Sequence, residues 1–191
     1  NKITFIDFVG VLKVDILFLT IPISRFEEVC KKISKTISKN TLIVDVCSVK
    51  VYPQEVLEEI FSIDQPIALT HPLFGPDSVF NNNFSNKQII ISKIRANTEL
   101  SKLLISIFTK LKLEIIEMTA VEHDQCMAKT QALVHFLGRT FQNINLEEFK
   151  IFGPNYDALL KIKSVVNKDT WQLFLDLQRY NPYAKKLRRQ F

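Results

Sequence analysis

The chain has 191 residues, of which 47% are hydrophobic, so it can form one large domain or two small ones around a packed core. No apolar run approaches the roughly 20 residues of a membrane span, and three widely spaced cysteines without a CxxC pair favour a reducing, cytoplasmic setting. The net charge of +5 does not indicate a nucleic-acid partner, because much of the excess lies on Lys185, Lys186, Arg188 and Arg189, a pattern typical of a solvated helix face.

The first part of the chain alternates strands with helices. Residues 15–22 (DILFLTIP) form an apolar run that ends in proline, and Ser24 then has the position of a helix N-cap. Residues 41–48 (TLIVDVCS) repeat this form, and Pro53 opens a second helix. Further strands are predicted at 66–70, 87–92 and 113–117, with a helix over 99–111. This alternation predicts an α/β sheet.

From residue 119 onward the pattern is helical. Thr119 and Glu122 have the spacing of a capping box, and the helix that they open runs without a breaker to Gly138 or slightly beyond. Two more helices are predicted at 156–166 and 170–180. The second part of the chain is therefore expected to be all helical.

These patterns predict two domains, a sheet domain at residues 1–118 and a helical domain at 119–191, and two domains commonly place a ligand between them. The four glycines form no GxGxxG turn, the feature that lets a dinucleotide pyrophosphate approach a helix N-terminus. If residues 15–22 are the fourth strand of a nucleotide-binding sheet, its first strand, glycine turn and second-strand acid lie upstream. The chain is therefore expected to be incomplete at its N-terminus.

Two segments place reactive side chains directly after strands. Ser48 and Lys50 follow the strand at 41–48, at the sheet edge where α/β proteins hold ligands, although a helix cap and a solvated charge are more frequent roles for such residues. Two prolines and a glycine stiffen the loop at 70–78 (THPLFGPDS), which has His71 at its mouth. A histidine there can accept a proton near neutral pH, or it can simply hydrogen-bond the loop.

A third segment, EHDQCMAKTQALVHFLGR at residues 122–139, places His123, Met127, Gln131 and His135 on one helix face, at i, i+4, i+8 and i+12. A polar stripe inside an otherwise apolar helix needs partners. All three histidines of the chain lie in this segment and the preceding one, but no HExxH motif or third ligand converges with them. Proton transfer and hydrogen bonding are therefore favoured over a metal site.

Taken together, these segments resemble the prephenate/arogenate dehydrogenase family. DVCSVK is similar to its Asp-x-x-Ser-x-Lys strand end, THPLFGP to its His-Pro-Met-Phe-Gly-Pro loop, and residues 122–139 to its dimer-domain helix. NYDALLKI at 155–162 and WQLFLDLQRYNPYA at 171–184 follow in family order, so the similarity spans nearly the whole chain. The Thr-Gln pair and the terminal Gly-Arg of the helix resemble the plant-type arogenate branch more closely than the bacterial prephenate branch.

The resemblance implies a Rossmann-like nucleotide-binding sheet, with its first βαβ unit missing, followed by an all-helical dimerisation domain. The implied reaction is the oxidative decarboxylation of a cyclohexadienol carboxylate, prephenate or arogenate, in tyrosine biosynthesis. Hydride leaves the carbon that bears the 4-hydroxyl for NAD or NADP, and loss of carbon dioxide gives an aromatic ring. A homodimer through the helical domain is implied, and the expected location is the cytoplasm, or the plastid in a plant, without a membrane partner. Without a pyrophosphate site, this fragment alone is expected to be weakly active or inactive.

The resemblance also assigns roles to individual residues. His71 would be the base that accepts the hydroxyl proton, and Ser48 would hydrogen-bond and orient it. Gln131 and His135 would face the substrate side chain or the nicotinamide, and Lys50 is a further substrate-binding candidate. Contacts with the cofactor would be made by Thr20, Ile21 and Pro22.

Two alternatives remain open. Another two-domain NAD(P)-dependent dehydrogenase, of the 6-phosphogluconate or 3-hydroxyacid type, would need a differently placed catalytic lysine, and the THPLFGP loop argues against it. A catalytically inactive ligand-sensing or dimerisation module would explain a chain without a phosphate cradle, but the three motif histidines disfavour it. The choice between NAD and NADP depends on the second strand of the sheet, which these residues do not include.

Overall fold

A computed structural model of the protein describes residues 4–75, 78–79, 83–144, 146, 149–151, 153–166 and 168–190. The chain divides into two compact units, Asn1–His123 and Asp124–Phe191. Within the described ranges, none of the helices combines the length and the apolarity that a membrane crossing requires.

The first unit is built on a five-stranded sheet with the order β1-β2-β3-β4-β5. The strands are β1 (Ile16–Leu19), β2 (Leu42–Asp45), β3 (Ile67–Pro72), β4 (Gln88–Arg95) and β5 (Glu114–Glu117). β1, β2 and β3 are parallel, whereas β4 runs antiparallel to β3 and parallel to β5. The five predicted strands and the α/β fold class are therefore confirmed, and the reversal at β4 is a feature that the sequence pattern did not indicate.

Helices cover the sheet of the first unit. They are α2 (Phe26–Ile33), α3 (Val51–Ile60) and α4 (Thr98–Lys110), and a short helix, α1 (Phe8–Val11), precedes β1. All four residues of β2 are buried, as expected for a parallel strand covered on both faces. Alternate residues of each strand point to opposite faces, and one face forms a single apolar core with α4. That core consists of Leu42, Val44, Ala68, Ile89, Ile91, Leu104, Phe108 and Leu113.

The parallel strands determine where polar loops meet. Leu19 of β1 lies opposite Asp45 of β2, and Asp45 lies opposite Leu69 of β3. β1 and β2 end level with each other and β3 continues to Pro72, so the residues that follow β1 and β2 lie along the same edge of the sheet as the end of β3. This carboxyl edge is where open α/β sheets bind their ligands.

The second unit is helical. Its elements are the second half of α5 (Ala120–Met127), a π-helical turn (Ala128–Ala132), α6 (Leu133–Asn143), α7 (Pro154–Val166), α8 (Trp171–Tyr180) and α9 (Ala184–Arg188). The three helices predicted after residue 119 are confirmed. At the start of α5, the backbone N–H of Thr119 donates to Glu122 Oε2 at 2.9 Å, and the N–H of Glu122 donates to Thr119 Oγ1 at 3.2 Å. The predicted capping box is therefore present.

Close helix packing and side-chain amides hold the second unit together. A Cβ placed on Gly138 of α6 would lie 2.7 Å from the Cβ of Val166 in α7, so only glycine fits at this crossing. The amide of Gln178 donates to the carbonyl of Ala132 at 2.7 Å, and that of Asn181 donates to the carbonyl of Asp124 at 2.8 Å. These bonds satisfy carbonyl groups beside the π-helical turn, where the regular helical ladder is interrupted.

Candidate active site

His71 is the fifth residue of β3 and lies at the carboxyl edge of the sheet. Its side chain is buried, and its Nδ1 lies 2.9 Å from Nε2 of His123, which is also buried and belongs to the first turn of α5. The two rings meet edge to face, with centroids 5.1 Å apart. The first unit thus contains a hydrogen-bonded pair of buried histidines 52 positions apart in the sequence.

The histidine pair has a defined protonation chemistry. A hydrogen bond between two neutral imidazoles requires that one nitrogen donates and the other accepts. When Nδ1 of His71 donates to His123, Nε2 of His71 keeps its lone pair and can accept a proton. Burial, and then the nearby His123 and Lys50, hold the pKa of His71 well below its ordinary value. His71 is therefore neutral at neutral pH, the state that a general base requires.

The loop after β2 is built around a buried ion pair of Lys50 with Asp45. The Lys50 ammonium contacts Oδ2 of Asp45 and donates to the carbonyl oxygen of Thr70 at 2.6 Å. Oδ1 of Asp45 accepts from the N–H of Cys47 at 2.8 Å, and the Thr70 hydroxyl donates to the carbonyl of Asp45 at 2.7 Å. Both charged side chains are completely buried. We expected Lys50 to contact the substrate. In the structure its ammonium is instead buried and bound to Asp45 and to the Thr70 carbonyl.

Ser48 lies in the same loop and is half-buried. Within the described part of the chain, no hydrogen bond joins Ser48 to His71, and the hydrogen-bond partner of His71 is His123. The orienting contact that the resemblance assigns to Ser48 is therefore made by His123 in this structure. The sequence analysis placed His123 on the helix stripe and favoured hydrogen bonding or proton transfer for it, but did not identify His71 as its partner.

Residues 20–22 follow β1 at the same sheet edge. Thr20 and Pro22 are exposed and Ile21 is half-buried, and a short 3-10 turn over Ile23–Arg25 leads into α2. These side chains are accessible to a ligand lying along the carboxyl ends of the strands. In the adjoining loop, Phe74 stacks edge-on against Phe84 with centroids 5.7 Å apart, whereas Pro76 and Asp77 of the predicted motif lie outside the described residues.

The second unit holds Gln131 and His135. Gln131 lies in the π-helical turn and His135 in the first turn of α6. Oε1 of Gln131 and Nδ1 of His135 are buried and have no hydrogen-bond partner among the described residues, while Nε2 of His135 lies 3.4 Å from Oδ2 of Asp169. Burial lowers the pKa of His135, which Asp169 opposes. Buried polar atoms without partners are costly, so these two atoms are suited to contact a ligand.

The π-helical turn divides the predicted helix stripe. His123 belongs to the first unit and pairs with His71, whereas Gln131 and His135 belong to the second. Among the described residues, no three His, Cys, Asp or Glu side chains converge as a metal site requires.

A sheet with three parallel strands, a polar carboxyl edge and a following helical unit defines a Rossmann-like nucleotide-binding protein. Residues 4–117 match the family model described as "Prephenate dehydrogenase, nucleotide-binding domain", and residues 140–191 match one described as "TYRAAT1-like, C-terminal domain". The first match covers more than half of the chain. The chain therefore belongs to the prephenate dehydrogenase family.

Curated relatives agree with this assignment. The chain is 29% identical over 183 residues to arogenate dehydrogenase 1, chloroplastic, of Arabidopsis thaliana, a match that covers 93% of this chain and 28% of that protein. It is 28% identical over 189 residues to a probable arogenate/prephenate dehydrogenase of Methanocaldococcus jannaschii, covering 94% and 42%. The chain thus spans less than half the length of these two relatives.

Solved structures share the fold. The arogenate dehydrogenase of Synechocystis aligns with a TM-score of 0.69 at 21% identity, over 96% of this chain and 70% of that chain. The prephenate dehydrogenase of A. aeolicus, solved with hydroxyphenyl propionate and NAD+, aligns with a TM-score of 0.74 at 20% identity, over 93% and 65%.

Proposed function

We propose that the chain carries the catalytic histidine of an NAD(P)-dependent arogenate or prephenate dehydrogenase. The observation that carries the proposal is the buried, neutral His71 at the carboxyl edge of β3, with Nδ1 held by His123. The family match and the names of the relatives support this reaction class. The closer likeness to plant-type sequences favours arogenate over prephenate.

In the proposed reaction, Nε2 of His71 accepts the proton of the substrate 4-hydroxyl. The electron pair of the breaking O–H bond forms the carbonyl as the hydrogen on the same carbon leaves with its electrons. The nicotinamide, when bound, supplies the acceptor for that hydride. The ring carboxylate then departs as carbon dioxide, its bonding electrons complete the aromatic ring, and the new phenolic oxygen takes a proton. The chain itself needs only a neutral, oriented base for the first step.

The remaining roles are those that the resemblance implies for these side chains. Gln131 and His135 would bind the substrate side chain or the nicotinamide through their unpartnered buried atoms. Ser48, half-buried in the loop after β2, is the residue to which the resemblance assigns the orientation of His71. The exposed residues after β1 would lie along the cofactor. They fit part of a dinucleotide, and because the sequence has no GxGxxG turn, no residue of this chain is assigned to the pyrophosphate.

The assembly and setting belong to the same proposal. We expect a homodimer formed through the helical unit, because residues 122–139 resemble the dimer-domain helix of the family. The expected location is the cytoplasm, or the plastid if the source is a plant, as for the chloroplastic relative in Arabidopsis.

The test is the formation of reduced nicotinamide by the natural full-length protein with each combination of prephenate or arogenate and NAD or NADP. His71→Asn should lower kcat/KM by about 10²-fold to 10⁴-fold, the usual contribution of a general base. Lys31→Met is the matched control, because Lys31 lies on the exposed face of α2 and pairs only with surface Glu27 among the described contacts. No turnover with any of the four combinations would refute the proposal and favour a sensing module.

A further inference from the structure

The buried pair of Asp45 and Lys50 is bonded to Thr70, the residue directly before His71. The backbone pairing of β2 with β3 ends at Asp45 and Leu69. One residue later, the Lys50 ammonium holds the carbonyl of Thr70 at 2.6 Å, and the Thr70 hydroxyl holds the carbonyl of Asp45 at 2.7 Å. Side chains therefore continue the connection between the two strands where the ladder has stopped.

This connection acts on the residue before the catalytic histidine. The register of β3 against β4 shifts between Leu69 and Thr70, because Leu69 pairs with Lys93 and Thr70 with Ile91, which leaves an extra residue in β4. The ladder beside Thr70 is therefore irregular on its β4 side, and such irregularities are frequent next to active sites. The direction of the His71 ring thus depends on how firmly Thr70 is held.

We propose that Asp45 and Lys50 are positioning residues: the buried ion pair fixes the Thr70 carbonyl, and through it the orientation of the His71 imidazole for proton transfer. The role of proton acceptor rests on the proposed function, whereas the fixed geometry does not. This reassigns the lysine of the DVCSVK motif from a substrate contact to support of the base.

The charge of Lys50 has a second effect on His71. Burial lowers the pKa of His71 most, followed by His123 from α5 and Lys50 from the loop after β2, while the facing residue of β4 is the uncharged Ile90. Removing the ammonium therefore raises the pKa of His71 toward its ordinary value. A role confined to fold stability would not shift that titration.

The experiment uses ¹⁵N-histidine spectra, which are simple because the chain has three histidines. They report the tautomer and titration of His71 whether or not the protein is active. Lys50→Met alone leaves the Asp45 carboxylate buried without its partner and can prevent folding. The double variant Asp45→Asn/Lys50→Met removes both charges and avoids that defect. Lys31→Met, which breaks an exposed pair, is the control.

In the double variant we expect the pKa of His71 to rise. We also expect its ¹⁵N chemical shifts to differ from those of the parent protein, in which His71 has a single tautomer. In the natural full-length enzyme, kcat should fall about 10-fold to 100-fold, with KM changed by less than about threefold, because a misplaced base affects the chemical step more than binding. The control should match the parent in both measurements.

Unchanged His71 nitrogen shifts and unchanged kcat in the double variant would overturn the inference. Its global unfolding would do so as well, since the pair would then be a requirement of the fold. If the parent has no turnover but the His71 signals still respond to the double variant, the inference stands and the proposed function fails. The spectra and the turnover assay thus separate the two.

Discussion

The hydrogen bond between the two buried histidines gives the most direct prediction. His123→Phe keeps a flat ring of similar size next to His71 but removes the nitrogen that lies 2.9 Å from Nδ1. Both side chains are at most 3% exposed, so water cannot readily replace the lost partner. An unsatisfied buried polar group costs about 1–3 kcal/mol. The free energy of unfolding should therefore fall by about that amount in urea titrations.

The same substitution should reduce catalysis. Without His123, the Nδ1 proton of His71 has no acceptor, and the tautomer that exposes Nε2 as a base loses its advantage. If the same 1–3 kcal/mol is lost from the transition state, kcat/KM should fall about 5-fold to 150-fold, because about 1.4 kcal/mol corresponds to a factor of ten. His123 also lowers the pKa of His71, so the acid limb of the pH profile should move to higher pH.

Two measurements check this reasoning. Urea titration gives the stability change, and the pH dependence of kcat/KM gives the pKa of the free enzyme's base. His123→Gln, which retains an acceptor oxygen, should recover part of the stability. A phenylalanine variant as stable as the parent, with an unmoved acid limb, would show that the histidine contact has no energetic role.

Three further predictions concern stability. Gly138→Ala should destabilise the protein by about 1–3 kcal/mol through overpacking, since its Cβ would lie 2.7 Å from the Cβ of Val166. Val166→Ala should not rescue this variant fully, because alanine keeps the Cβ, and a Gly138→Ala protein as stable as the parent in urea titrations would contradict the prediction. Thr119→Ala should cost about 1 kcal/mol in urea titrations, because it removes the hydroxyl of the capping box, and an unchanged midpoint would rule out that contribution. Because the pKa of His71 is depressed in the folded state, the unfolded chain binds more protons as the pH falls below the ordinary histidine value of about 6.5. The free energy of unfolding should therefore decrease as the pH falls from about 6.5 toward the depressed pKa of His71. In urea titrations at a series of pH values, His71→Asn should show a smaller decrease.

Several features of this protein were readable from local sequence patterns. The apolar runs at 15–22 and 41–48 predicted strands, since continuous apolar runs are the pattern of a parallel sheet buried on both faces. The capping box at Thr119 followed from the spacing of two side chains within one helical turn. The family followed from motifs in order along the chain, which carry information that periodicity alone does not.

The sequence identified His71 by its motif, but its environment depends on residues far away. The partner of its Nδ1 comes from 52 positions later, and the carbonyl that Lys50 holds lies 20 positions later. Contacts between residues this far apart in the sequence leave no periodic pattern from which they could be predicted. Lys50 looked like an exposed ligand contact because lysine is rarely buried. Its burial is tolerable because Asp45, at the end of the preceding strand, and the Thr70 carbonyl of the neighbouring strand β3 both contact its ammonium.

By itself, the sequence determined the elements, the fold class and the histidine at the sheet edge, because periodicity, capping and turn chemistry act within a few residues. The tertiary structure alone decided the reversal of β4, the π-helical turn that divides the polar stripe, and the pairing of His71 with His123. These features depend on which surfaces pack together and on which buried polar atoms find partners. Packing joins residues across the whole chain, and that is why local pattern could not specify them.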